Sequence, residues 1–115
     1  MLAKDLPIYR NTYDLLLQIT NVTKNFSKDF KFNLGERLLN TTIDLIVDIY
    51  FANSNFKTRV SYISEALTKL EVITLLIRLS CDMKLISIDK YANLSLIIDS
   101  IGKQLTGWKN VSSTE

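Results

Sequence analysis

The chain has 115 residues, 47% of them hydrophobic and 23% charged, with a formal net charge of +2; this suits one folded domain and excludes a disordered or fibrous chain. Only 3 Gly and 1 Pro are present, too few for the turns of a many-stranded β fold. There is no His, and Cys81 is the sole cysteine, which removes histidine-based triads, histidine metal sites and any intrachain disulfide and favours a reducing, cytoplasmic setting.

The opening residues carry no signal-like apolar stretch, and no apolar run approaches the roughly 18 residues of a membrane span. The sequence therefore points to a cytoplasmic protein with no membrane attachment. A single domain over residues 1–115 is expected, built from four apolar-periodic segments.

The first segment covers about residues 6–26. Pro7 suits the first helical position, where a missing N–H costs nothing. Leu15, Ile19, Val22 and Phe26 recur at helical spacing. A break is expected over residues 27–33. The second segment covers about residues 35–53, with Asn33 as N-cap and Glu36 completing a capping box. Leu39, Ile43, Ile46 and Tyr50 mark one stripe on it, and Leu38, Leu45 and Ile49 a second.

The third segment covers about residues 57–83, a helix of roughly 40 Å at about 1.5 Å per residue. Ile63, Ala66, Leu67, Leu70, Ile73 and Ile77 make one face; Val72, Leu76, Leu79 and Met83 make another. The fourth covers about residues 88–109, with Ser87 as N-cap. Its stripe of Tyr91, Leu94, Ile98, Ile101, Leu105 and Trp108 follows a heptad a/d pattern, and residues 110–115 read as a frayed tail. Short connections between four helices predict an all-α, antiparallel up-down-up-down four-helix bundle. Trp108 is expected to anchor the last helix, with Gly107 letting a neighbouring helix come close.

One stripe per helix suffices for a monomeric core. The second stripes have two readings, a fat core with a few exposed aliphatics or an interface between subunits formed by Leu38, Leu45, Ile49, Leu76 and Leu79; the interface is the reading taken here, since large apolar patches on a surface mark partners.

Little in the chain suggests catalysis. Asp44 and Asp48 share a helical face, but di-metal bundle sites draw on Glu and His from several helices, so the pair reads as a solvated acidic face. Cys81 reads as a small core hydrophobe. No catalytic residue, cofactor or metal site is expected. The cations are more informative. Lys24, Lys28, Lys31 and Arg37 fall close together and interleave with Phe26, Phe30 and Phe32. Cations position phosphates, and aromatic rings stack on unpaired bases; by composition alone the same residues also read as an ordinary loop with apolar anchors. Arg78 is a weaker candidate that could instead pair with an acidic neighbour.

Several motifs resemble one family. The opening Leu6-Pro7-Ile8-Tyr9 with Tyr13-Asp14-Leu15-Leu16-Leu17 is the first. Phe26-Ser27-Lys28 with Lys31-Phe32-Asn33-Leu34-Gly35-Glu36-Arg37-Leu38 is the second. Leu75-Leu76-Ile77-Arg78-Leu79 with Leu85-Ile86-Ser87, and Ile101-Gly102-Lys103-Gln104-Leu105-Thr106-Gly107-Trp108, complete the set. In their order and spacing these resemble the bacterial four-helix-bundle proteins that include the accessory variability determinants of diversity-generating retroelements. A related branch comprises the proteins encoded in intervening sequences of large-subunit ribosomal RNA. Ser27, Thr74 and Thr106 depart from residues common in the family.

The resemblance implies a non-catalytic accessory protein. It would bind RNA or DNA and a reverse transcriptase, form a homo-oligomer of five subunits, and support mutagenic retrohoming. The alternative is the ribosomal-RNA branch, an interaction protein with no polymerase partner. A ring of five chains of +2 each would carry +10, enough for a field around the assembly.

Overall fold

The computed structural model describes residues 5–114, and no strand occurs among them. Four long helices are present among the described residues: α1 (Pro7–Thr23), α2 (Glu36–Ser54), α3 (Arg59–Asp82) and α4 (Ile88–Ser113). The body measures 46 × 22 × 22 Å. The 26 residues of α4 reach about 39 Å, so the long axis is essentially one helix long. α1 packs on α2 and α4, and α3 packs on the same two, closing a four-helix bundle around one core.

That core holds the expected faces of three helices. Leu15, Ile19 and Val22 of α1, Ile63, Ala66, Leu70, Ile73 and Ile77 of α3, and Leu94, Ile98, Ile101 and Leu105 of α4 are all buried. Three of the buried hydroxyls bond carbonyls of their own helices. Thr12 donates to the Ile8 carbonyl at 2.7 Å, Thr42 to Leu38 at 2.8 Å and Ser80 to Leu76 at 2.7 Å, so none is left as an orphan polar group.

The second helix is rotated from the expected phase. Leu38 is 1% exposed, and Leu45 and Ile49 are 0%. These three lie in the core of a single chain and are not free to contact another subunit. The reason is that Thr42 and Ala52 extend their row into a continuous buried stripe. A threonine whose hydroxyl bonds its own helix packs as an apolar residue, which a count of large aliphatics overlooks. The outward residues are instead Ile43, Val47 and Tyr50, at 39%, 41% and 52% exposure. On α3, Leu76 is partly buried against the core, whereas Leu79 is exposed.

The connections also differ from expectation. The break after α1 falls at residues 24–27, ending on an extended Ser27, and residues 28–33 are helical. A single helical turn, Lys28–Phe30, runs into a π-helical turn, Lys31–Gly35, and on into α2. The Phe30 and Lys31 amides both bond the Ser27 carbonyl at 2.9 Å, and the Glu36 amide bonds the Lys31 carbonyl five residues back. Asn33 therefore caps nothing; its side-chain amide donates to the Asp29 carbonyl at 2.8 Å.

Between α2 and α3, Asn55 accepts from the Lys57 amide at 3.0 Å and opens a 3-10 turn, Phe56–Thr58. Arg59 then folds back onto α2. Its Nε donates to the Ala52 carbonyl at 2.9 Å, and its guanidinium lies 5.6 Å from the Phe56 ring centroid and 5.7 Å from that of Trp108. Trp108 is thus partly buried against the core, with a cation on its face.

The end of α3 is closed by a Schellman motif. The Lys84 amide bonds the Cys81 carbonyl at 2.9 Å and the Leu85 amide bonds Ser80 at 2.8 Å. Lys84 occupies the left-handed position, at φ 61°. Ser87 caps α4 as expected, accepting from the Lys90 amide at 3.1 Å. α4 continues beyond residue 109 to Ser113, with Ser112 buried, so residues 110–113 are helical; Glu115 lies outside the described residues. A side chain added at Gly107 would meet open space, so Gly107 does not provide a close helix approach. The crowded glycine is Gly35, where a Cβ would sit 3.3 Å from the Phe26 ring.

Candidate nucleic-acid interface

The candidate surface forms where α1 passes to α2. Phe26, buried to 5% exposure, pins this corner to the core, and Gly35 lets the π-helical turn lie against it. With the backbone fixed in this way, Lys24, Lys28, Lys31 and Arg37 all end up exposed. None of the four forms an ion pair among the described residues. The stretch also carries Asp29 and Glu36, so four cations stand against two carboxylates. It thereby holds the whole net charge of the chain, +2.

The four cations are not equivalent. Lys24 and Lys31 line one shallow hollow of about 290 Å³ together with Thr20, Thr23, Phe32, Gly35, Glu36 and Leu39. Lys28 and Arg37 do not line it. The three aromatics also separate: Phe26 is core, Phe30 is partly buried against the core, and Phe32 is 69% exposed. Only Phe32 presents a ring to solvent. Two ammonium groups beside an exposed ring can hold a phosphate and a planar group at once.

Lys69 and Arg78, by contrast, form ion pairs among the described residues. Asp48 is buried, not part of a solvated acidic face, and is ion-paired to Lys69 of α3; Lys69 also lies 3.6 Å from Glu65. Burial pushes the Asp48 carboxyl above its ordinary range, with the Lys69 ammonium opposing part of that rise. For Lys69, burial works against the ammonium, but the carboxylates of Asp48, Glu65 and Asp44 outweigh it and hold its pKa above the ordinary value. Arg78 lies at 4.0 Å from Asp82, both well exposed, a pairing that contributes little. Cys81 is partly buried against the core.

A second surface was not visible from residue types alone. Ile43, Val47, Tyr50 and Phe51 line the outside of α2. Phe51 stacks on Tyr62 of α3 at 5.4 Å and meets Tyr50 edge-on at 5.6 Å. The spacing of Ile43, Val47 and Tyr50 is itself helical, and this is the signal that could have found the surface. No described helix is long and apolar enough to cross a membrane.

A comparison with curated proteins finds no match. Among protein families, residues 6–112 match the one described as bAvd-like. That span covers α1, α2 and α3 whole, nearly all of α4, and the cationic corner between α1 and α2, and the motifs resembling accessory variability determinants lie within it: the chain belongs to the bAvd-like family.

Proposed function

We propose that this protein is a non-catalytic accessory protein of a diversity-generating retroelement, acting in the cytoplasm. It binds nucleic acid and a reverse transcriptase and supports mutagenic retrohoming. The observation that carries this reading is the family match over residues 6–112. Lys24, Lys28, Lys31 and Arg37, exposed and without ion pairs among the described residues, supply the chemistry for phosphate. Contacts of this kind go to the backbone of the nucleic acid and carry little sequence preference.

The assembly is a homo-oligomer of five. Its interface draws on the outward apolar row of α2, Ile43, Val47 and Tyr50, together with Leu79 of α3, because these large side chains are exposed in the single chain. Connections of four residues (55–58) between α2 and α3 and five (83–87) between α3 and α4 favour an antiparallel order of these helices, as in an up-down-up-down bundle.

Electrophoretic shift with random RNA and DNA tests the binding role. The parent protein should bind both, and a variant with all four cations replaced by Gln should bind each more weakly while keeping its helical content. Equal binding by parent and variant would remove the four cations from the role. No binding by the parent at low salt would remove nucleic acid from the function.

A further inference from the structure

We infer that the hollow beside the π-helical turn is a single-strand site, in which an unpaired base stacks on Phe32 while the adjoining phosphates lie at Lys24 and Lys31. The inference rests on the nucleic-acid reading above and adds to it which form of nucleic acid is bound. Three observations carry it. Phe32 is 69% exposed although Phe26 and Phe30, close by, are given over to the core, so the fold gains little from this ring. Lys24 of the α1 end and Lys31 of the π turn line the same hollow as Phe32. The turn itself is locally widened, with the Glu36 amide bonded to the Lys31 carbonyl, a rare geometry that is frequent at functional sites.

The chemistry selects one class of ligand. In a duplex, both faces of each base are covered by its neighbours; only an unpaired or splayed-out base offers a face to a side chain. A ring flanked by cations fits a strand whose bases are free, because the ring takes the base and the ammonium groups take the phosphates. Glu36 also lines the hollow and repels phosphate, so the ammonium groups of Lys24 and Lys31 and not the start of α2 set where the phosphates lie.

The test compares three probes on the protein at fixed salt: a short homopolymeric single strand, an abasic strand of the same length, and a duplex. The parent should bind the base-bearing strand about ten-fold more tightly than the abasic one, the effect of one stacked base. Phe32→Ala should abolish that difference and leave abasic and duplex binding unchanged, and Phe32→Trp should retain it. If the parent makes no distinction between base-bearing and abasic strands, or if Phe32→Ala leaves the distinction intact, the stacking site is wrong while nucleic-acid binding stands. If Phe32→Ala instead lowers the oligomer mass, Phe32 belongs to an interface between copies and the inference falls. If no strand and no duplex binds at low salt, the nucleic-acid reading and this inference fall together.

Discussion

Two positions on α2, two residues apart, separate the core of this protein from its outer surface. Leu45 is 0% exposed and Val47 is 41% exposed. Leu45→Ala removes a fully enclosed side chain and leaves a cavity in the hydrophobic core. Such changes cost about 2–5 kcal/mol, a large part of the roughly 5–15 kcal/mol that holds a domain folded. A loss of about 3 kcal/mol should lower the melting temperature by some 10–20 °C in a domain of this size. Ile43→Ser with Val47→Ser removes apolar groups from the surface, and within one chain each should cost no more than about 0.5 kcal/mol. The double serine variant should instead dissociate, because the proposed interface draws on this outward row. Urea denaturation followed by far-UV circular dichroism reads the first effect, and light scattering at matched concentration reads the second. If Leu45→Ala kept the parent midpoint and lost mass, while the serine pair kept its mass, the phase assigned to α2 would be refuted.

Three further outcomes are expected. Gly107→Ala should stabilise the protein by about 0.5–1 kcal/mol, since the glycine is exposed within α4 and an added Cβ meets nothing; a lower urea midpoint would show that the helix needs a bare backbone there. Arg59→Met should cost about 2 kcal/mol by removing a charge-assisted bond to the Ala52 carbonyl and the cation from the faces of Phe56 and Trp108, and a double-mutant cycle with Trp108→Ala should show positive coupling. The raised pKa of Lys69 favours its charged form in the folded state, so its contribution is complete below the ordinary lysine value of 10.5 and is lost as the pH climbs through the folded value. Lys69→Met should therefore flatten the alkaline fall in stability seen in urea titrations above that pH; an unchanged alkaline limb would contradict the pairing with Asp48.

Where one strong pattern dominated, the sequence was enough to read the fold. The a/d row from Tyr91 to Trp108 placed α4, and Ser87 marked its start through a side-chain acceptor that only a few residue types provide. The Gly- and Pro-poor composition left little room for anything but helices. The phase of α2 was harder, because both of its faces are apolar and the deciding residues are Thr42 and Ala52, whose burial depends on neighbours distant in sequence. The helical path through residues 28–35 was hidden for a different reason. It is set by Gly35 meeting Phe26, a tertiary contact, and Asn33 mimics a cap without acting as one. The pairing of Asp48 with Lys69 joins residues on different helices and has no local signature. At the candidate site, the four cations could be named from spacing, but that Phe32 alone of three phenylalanines faces solvent is a consequence of the packing.

We propose binding of the phosphate backbone of nucleic acid by Lys24, Lys28, Lys31 and Arg37. Its most direct measurement is the salt dependence of binding to a random-sequence duplex, compared between the parent and the four-fold Gln variant. Each phosphate neutralised adds about 0.9 to the slope of log affinity against log salt. The parent should show a steep slope. The variant should show a slope shallower by about one for each cation that held a phosphate, with weaker binding at every salt concentration. A variant with the parent's slope and affinity would contradict the claim.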